Sequence, residues 1–416
     1  MRIVQGKALQ AAVRKLARRG FGSDAAVEKT VKRIVSDVRQ DGDLALRRYA
    51  EKFDGLSARQ QFRVAADEIK VSLAQIPGEL RDALEHAAAS IRRFCEWQKP
   101  QEFRRESQPG VWVGQVIRPV ESVGCYVPGG RFPLPSSLLM TVIPAQVAGV
   151  ERIAVASPRP SSKTLAAAAL LGIYEFYRVG GAQAIAALAF GTRSVPAVHK
   201  IVGPGNAYVT AAKRLAAFEG CGIDFLAGPT ETVYLSDDGE PAFIAADLVA
   251  QAEHDPDALA VFLTSSLSLA HAVDKEVGRR ARENANAEQS LTRSGVILVA
   301  ESHQQALEFA NAIAPEHITV SAADVNAVTS AGSIFVGGYS SQALGDYASG
   351  PNHVLPTGGV ARCRGGLSVM DFLKVITVQE VSCDGLRSLA PAVEMLANAE
   401  GLAAHAESVR TRYADA

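Results

Sequence analysis

Lys200-Ile-Val-Gly-Pro-Gly-Asn206 sets a short run with two β-branched residues directly against a Gly-Pro-Gly turn. The same grammar recurs on both sides of it. Val123–Val127 runs into Pro128-Gly129-Gly130, Ile153–Ala156 into Pro158, Phe176–Val179 into Gly180-Gly181, and Ile223–Leu226 into Gly228-Pro229. Between them lie Ala-rich stretches of helical length, such as Thr164–Leu171 and Ala182–Phe190. Strands alternating with helices predict a parallel sheet with helices on its faces, because parallel neighbours need a crossover. Ligands of such sheets bind beyond the carboxyl ends of the strands, so these glycine turns are the first place to look for a site.

Further along, after a connection spanning Gly228 to Pro241, a second α/β stretch reads from Ala258–Thr264, Val296–Ala300, Ile318–Val320 and Ile334–Val336. Two α/β lobes in succession predict a cleft between them. Upstream, Val27, Val31, Ile34 and Val38, and then Leu80, Leu84, Ile91 and Phe94, recur at helical spacing, with a break at Asp41-Gly42-Asp43. Downstream, the glycine-rich stretch 345–366 leads into a long Ala/Leu/Glu helix ending near Arg412. No repeat of fixed period and no low-complexity segment stands out.

The whole-chain composition excludes several classes. With 416 residues, 48% hydrophobic and 21% charged, the chain has material for a large core and is neither disordered nor a coiled coil. Forty-three basic against 44 acidic residues leave a net charge of −1, with no surplus to drive binding of a phosphate backbone, so no nucleic-acid partner is expected. The longest apolar stretches are too short to span a bilayer, and Met1–Lys7 carries no secretory signature, so the expected compartment is the cytoplasm. Five scattered cysteines without a CxxC pair argue against a disulfide framework and a thiolate zinc site; each reads as a small buried hydrophobe.

The eight histidines divide. His86, His271 and His303 lie on predicted helices without acidic or glycine context, and His199 precedes a strand; packing or solvation suffices for them. The other four have company. Gln251 and His254, three apart at a helix end, project from one face and offer an amide oxygen and an imidazole to one metal, although a polar helix end explains the fragment equally. Pro315-Glu316-His317 pairs a carboxylate with an imidazole, material for acid–base chemistry if it sits in a loop or a helix start. Gly345-Asp346 to His353 places Asp and His in one glycine-rich loop, and Glu400 to His405 closes the set. Pooled, these are nitrogen and oxygen ligands for a borderline metal such as zinc, with a glutamate left over as a base. HExxH, GxGxxG and P-loop signatures are absent. The residues by themselves describe a metal-containing α/β enzyme.

Longer blocks carry a resemblance. Tyr126 to Gly130 with Leu134-Pro-Ser136, Val179 to Gly191, Lys200 to Asn206, Ala250 to Asp255, Ala314 to His317, Gly345 to Thr357 and Glu400 to His405 together resemble the histidinol dehydrogenase family over nearly the whole chain. The resemblance implies two incomplete, doubly wound Rossmann-like lobes with small helical extensions, in an intertwined homodimer. It implies residues 1–25 as an N-terminal arm, 26–115 with 233–370 as one α/β lobe, 116–232 as the NAD-side lobe, and 371–416 as an extension reaching the partner's site. It also implies an NAD-dependent four-electron oxidation of a small amino alcohol, L-histidinol, through the aldehyde to the acid. One zinc per subunit is implied on Gln251, His254, Asp346 and His405, with Glu400 and His405 supplied by the partner subunit. His317 is implied as the acid–base group of the alcohol step and Glu316 as the activator of water. The resemblance further implies substrate contacts from Ser136, Thr230 and His353, from Glu400 to the ammonium, and from the zinc ligands and His317; Tyr126, Gln183 and Asn206 match the NAD contacts.

Thr230 stands where the family commonly has Ser, and Cys363-Arg364-Gly365-Gly366 and Val375 also depart from its usual run. A paralogue oxidising another small alcohol, such as a sulfonated diol, is the alternative reading. A zinc hydrolase using Glu316 as base would have no use for Tyr126, Gln183 and Asn206. A non-enzymatic binding module would need no acid–base pair.

Overall fold

The computed structural model describes residues 1–20, 25–129 and 133–413. Gly130, the last residue of the first glycine turn, lies outside them, as do residues 21–24 of the N-terminal arm and 414–416.

The strand-and-turn stretch forms a five-stranded, wholly parallel sheet, in the order Phe176–Tyr177, Arg152–Ala156, Ser122–Tyr126, Lys200–Val202, Gly222–Ile223. Successive side chains point to opposite faces. Val123, Cys125, Val155 and Val202 therefore join one apolar cluster, while Tyr126, Ala154, Ala156 and Ile201 join another. Helices cover both faces, which is why the strands read as continuous apolar runs.

The second sheet has six parallel strands, ordered Arg2–Gln5, Val296–Val299, Leu259–Thr264, Glu231–Leu235, His317–Val320, Ser333–Val336. In both sheets the first strand to form in chain order is central, with later strands on either side (the edge strand Arg2–Gln5 apart), the doubly wound arrangement with its switch point beside that strand.

Several expectations are corrected. The connection from Gly228 to Pro241 contains Glu231–Leu235, a central strand with every residue buried; a five-residue run is too short for periodicity to separate from a loop. Residues 26–97 do not join the lobe built on 233–370. Val31, Ile34, Val38 and Leu46 pack with Ile185 and Ile201 on one face of the five-stranded sheet, and Ile69, Leu84 and Ile91 pack with Val123 and Val155 on the other. An amphipathic stripe shows that a helix is covered, not which sheet covers it. The N-terminal arm is part of a lobe: Arg2–Gln5 extends the six-stranded sheet, and helix Leu9–Ala17 sets Leu9 and Val13 into the same cluster as Phe309 and Ile313.

A third, antiparallel sheet joins Phe103–Gln108, Val111–Pro119 and Leu373–Val381. The predicted long C-terminal helix is two, Cys383–Ala399 and Ala403–Arg410, separated at Gly401, whose φ of 76° ends the first.

The two parallel sheets present opposite strand ends to one cavity. The five-stranded sheet offers the turns at its carboxyl ends, Pro128 and Gly205, whereas the six-stranded sheet offers the first residues of its strands, Glu231, Leu259 and His317. That junction holds the site.

Candidate active site

A cavity of about 720 Å³ lies at this junction. Glu316, His317, Asp346, Gln251 and His254 line one wall. Ser136, Thr230, His353 and Asn206 also line it. Nine of the residues singled out from the sequence thus share one space.

Local structure explains the placement of the acid–base pair. Helix His303–Ile313 stops at Ala314, whose φ of 51° is left-handed, and Pro315 prevents its continuation. The chain then enters strand His317–Val320, so Glu316 and His317 sit at a loop-to-strand junction, not at a helix start. The Glu316 carbonyl accepts from Ser333 N at 2.9 Å, and a Cβ on the adjoining Gly332 would come within 2.6 Å of that oxygen. The His317 ring stacks on Phe335 with centroids 5.8 Å apart. Gly345 makes room for the Phe335 ring, since a Cβ there would lie 2.7 Å from it.

Buried amides tie down the rest of this wall. Gln342, wholly buried, accepts from Thr232 Oγ1 at 2.8 Å and donates to Thr319 Oγ1 at 3.0 Å, fastening helix Gln342–Tyr347 to the adjacent strands Glu231–Leu235 and His317–Val320. Ser341 donates to Asp247 at 2.9 Å, joining this helix to Pro241–Ala252. Asp346 on the first helix and Gln251 on the second then meet: Gln251 Nε2 donates to Asp346 Oδ2 at 3.0 Å.

His317 Nε2 lies 3.5 Å from Asp346 Oδ1, and its Nδ1 3.6 Å from Glu316 Oε2. Glu316 Oε2 accepts from Glu231 N at 2.9 Å. Burial works against the His317 imidazolium, but the neighbouring Glu316 and Asp346 carboxylates outweigh it and push the group up to about 10. Burial raises the Glu316 carboxyl, with His317 pulling the other way. For Asp346 the opposite balance holds: burial pushes it up, and the His317 contacts bring it below its ordinary value. His353 is held down by burial; its Nδ1 is 2.7 Å from the Asp346 carbonyl and its Nε2 3.4 Å from Ser137. Ser137, the neighbour of Ser136 in the cavity lining, is the serine touching His353.

Two buried atoms have no hydrogen-bond partner here, Gln251 Oε1 and His317 Nδ1. An orphaned amide oxygen beside a carboxylate, with the imidazole of His254 in the same wall, is a donor set fit for a borderline cation. Among the described residues, no group of three or more His, Cys, Asp or Glu is assembled within the chain to hold a metal. His405 and Glu400 are exposed and do not line the cavity.

The three residues matched to NAD contacts are arranged unequally. Asn206 lines the cavity while its Oδ1 caps helix Ala207–Phe218 by accepting from Tyr208 N and Val209 N. Tyr126 and Gln183 are buried behind the glycine turns and do not line it. Tyr126 Oη accepts from Gly181 N at 3.1 Å, and Gln183 Nε2 donates to Asp54 Oδ2 at 3.1 Å. Gly203, with φ of 114°, permits the strand-ending turn to pass Tyr126, whose carbonyl a Cβ would meet at 2.1 Å. The buried Lys213–Asp224 pair holds the Gly203 carbonyl and N–H. Asp54, Lys213, Asp224, Arg19 and Glu231 carry no motif in the sequence; Asp54, Arg19 and Glu231 act through partners distant in the chain.

Fold and cavity define a two-lobed α/β enzyme with a buried Glu–His pair at its interlobe cleft. The histidinol dehydrogenase family model matches residues 17–413. The chain is 45% identical over 417 aligned positions to the histidinol dehydrogenase of Methanosarcina barkeri, covering 97% of this chain and 96% of that one. It is 44% identical to that of Vibrio parahaemolyticus, covering 95% and 94%. Among solved structures, histidinol dehydrogenase from Elizabethkingia anophelis superposes with a TM-score of 0.94 at 36% identity, covering 99% of this chain and 97% of that one. The chain belongs to the histidinol dehydrogenase family. It is an oxidoreductase acting on an alcohol and an aldehyde, a function of histidine biosynthesis. Among the described residues, no helix is long and apolar enough to cross a membrane.

Proposed function

We propose that the chain catalyses the NAD-dependent oxidation of L-histidinol through L-histidinal to L-histidine, as a homodimer with shared sites in the cytoplasm. The observation that carries this reading is the convergence of Glu316, His317, Asp346, Gln251 and His254 on one cavity wall in a member of this family. Gln251, His254 and Asp346, with His405 of the partner subunit, would hold one zinc, whose chemistry is to anchor the substrate's imidazole and amine by Lewis acidity.

His317 takes the alcohol proton as hydride leaves for NAD, from its place in the cavity wall. Asp346, one of the two carboxylates that raise this imidazole, is also a proposed zinc ligand, and a carboxylate shared with a dication pulls less on a proton. Glu316 withdraws a proton from the water that adds to the aldehyde; its burial raises its basicity toward the working pH. The hydrate then gives a second hydride to NAD and a proton to the pair, leaving the acid. Two groups are needed because the alcohol proton and the attacking water occupy different positions. Ser136, Thr230 and His353 on this chain's cavity wall, and Glu400 of the partner subunit, orient the substrate. Asn206, Tyr126 and Gln183 shape the NAD side, in an incomplete Rossmann-like lobe: Asn206 from the cavity wall, the other two by holding the Gly180-Gly181 turn.

NADH formation from L-histidinol by zinc-loaded protein, titrated against limiting substrate, tests the reading. Two NADH per histidinol, lost on chelation, is the expected result. Thr230 in the cavity, in place of the family's common Ser, favours the second reading, a paralogue for another small alcohol; no NADH from histidinol would select it.

A further inference from the structure

Arg19 and Glu231 line the cavity beside the acid–base pair but belong to neither the pair nor the metal set. They form a nearly buried, bidentate ion pair: Arg19 Nε to Glu231 Oε1 at 2.6 Å and Nη2 to Oε2 at 2.5 Å. The rest of the guanidinium is spent on main-chain oxygens. Nη1 donates to Leu16 O at 2.8 Å and Ile313 O at 2.5 Å, and Nη2 to Ala314 O at 3.2 Å. A guanidinium has five N–H donors. All are occupied, so Arg19 has none to offer a ligand.

What Arg19 does grip is the frame around Glu316. Ile313 and Ala314 are the helix end immediately before Pro315-Glu316. Glu231 opens the central strand, and its own N–H donates to Glu316 Oε2 at 2.9 Å. Its Oε1 also accepts from Gly358 N at 2.9 Å, bringing in the glycine-rich loop. One side chain thereby locks three segments against the carboxylate that activates water. It also neutralises Glu231, a second buried carboxylate that would otherwise stand uncompensated beside Glu316.

We propose that Arg19, through Glu231, is a positioning residue that holds Glu316 for the aldehyde-to-acid step. The inference rests on the role given to Glu316 above. It predicts an uneven effect on the two directions of hydride transfer. Oxidation of the aldehyde consumes water and NAD+ and yields acid, NADH and a proton, so it needs Glu316. Reduction of the same aldehyde by NADH needs only hydride and a proton from His317.

The experiment measures both rates with L-histidinal on zinc-loaded wild type, R19Q and R19K. For R19Q, kcat for oxidation should fall by roughly 100-fold, the cost of a reacting group displaced by about 1 Å, with KM for the aldehyde unchanged. Reduction by NADH should stay within about threefold of wild type, and R19K, which keeps a charge but not the fork, should lie between. If R19Q does not fold, R19K and the neutral pair R19Q/E231Q carry the same ratio test. Equal losses in both directions, or none, would overturn the inference. A wild type inactive in both directions would instead overturn the histidinol reading, and the inference with it.

Discussion

Gln183 Nε2 donates to Asp54 Oδ2 at 3.1 Å, joining positions 129 residues apart. The same carboxylate oxygen accepts from Gly180 N at 3.0 Å. A buried aspartate from the end of the N-terminal helices thus holds the glycine turn and the first turn of helix Gly181–Phe190. Asp54→Ala leaves two buried donors unsatisfied and should cost about 1–3 kcal/mol of stability. Asp54→Asn keeps one acceptor and should cost less. Urea melts of the two variants check the order, and the reverse order would remove the bracing role.

Glu316→Gln should reduce acid formation from the aldehyde by about 10²–10⁴-fold, the usual worth of a positioned acid–base group. Zinc content, measured by metal analysis, should be unchanged because Glu316 is not a proposed ligand. Unimpaired acid formation would sink its role as water activator.

Zinc bound across two subunits predicts complementation. His254→Asn and His405→Asn homodimers should each lose zinc and activity. A mixed dimer regenerates one site from the intact halves, so co-refolding the two variants should restore activity. No recovery in a dimer shown to be mixed would exclude a site shared in this way.

Gly345→Ala tests the packing behind His317. The added methyl meets the Phe335 ring at 2.7 Å and must shift the ring on which His317 stacks. Overpacking of this kind costs about 1–3 kcal/mol. Thermal melts should show the loss, and Phe335→Leu in the same chain should recover part of it.

His303 bridges two carboxylates, with Nδ1 2.7 Å from Asp237 and Nε2 2.8 Å from Asp324. Its pKa is raised, by the Asp324 hydrogen bond first and Asp237 after, against a lowering by burial. A raised histidine stabilises fully below its unfolded value and loses that contribution as pH climbs through the folded one. Hydrogen bonds to His303 help hold both aspartates below their ordinary values despite burial, so their contribution fades as pH falls through the folded values. The stability difference between wild type and His303→Gln should therefore be largest between about pH 4 and 6.5 and shrink on either side. A pH-independent difference in chemical melts would refute the charge network.

His303 also marks where sequence reading stops. Nothing near it in the chain is distinctive, and its partners lie 66 and 21 residues away. The same holds for Arg19, whose carboxylate partner is 212 positions distant. Gln251, His254, Glu316, Asp346 and His353 were legible because each lies in a local block with glycine, proline or a second ligating group.

The sequence by itself determined the parallel α/β architecture, since strand–turn–helix alternation is a local pattern that forces crossovers. It also determined the chemistry available to the site, because side-chain identity is local. Only the tertiary structure decided that residues 26–97 cover the five-stranded sheet. It alone placed Glu231–Leu235 at the centre of the other sheet, and joined the carboxyl edge of one sheet to the amino edge of the other around a single cavity. The reason is physical: burial makes an apolar stripe seek cover but does not name its partner, and that choice is made by which surfaces fit once the whole chain is compact.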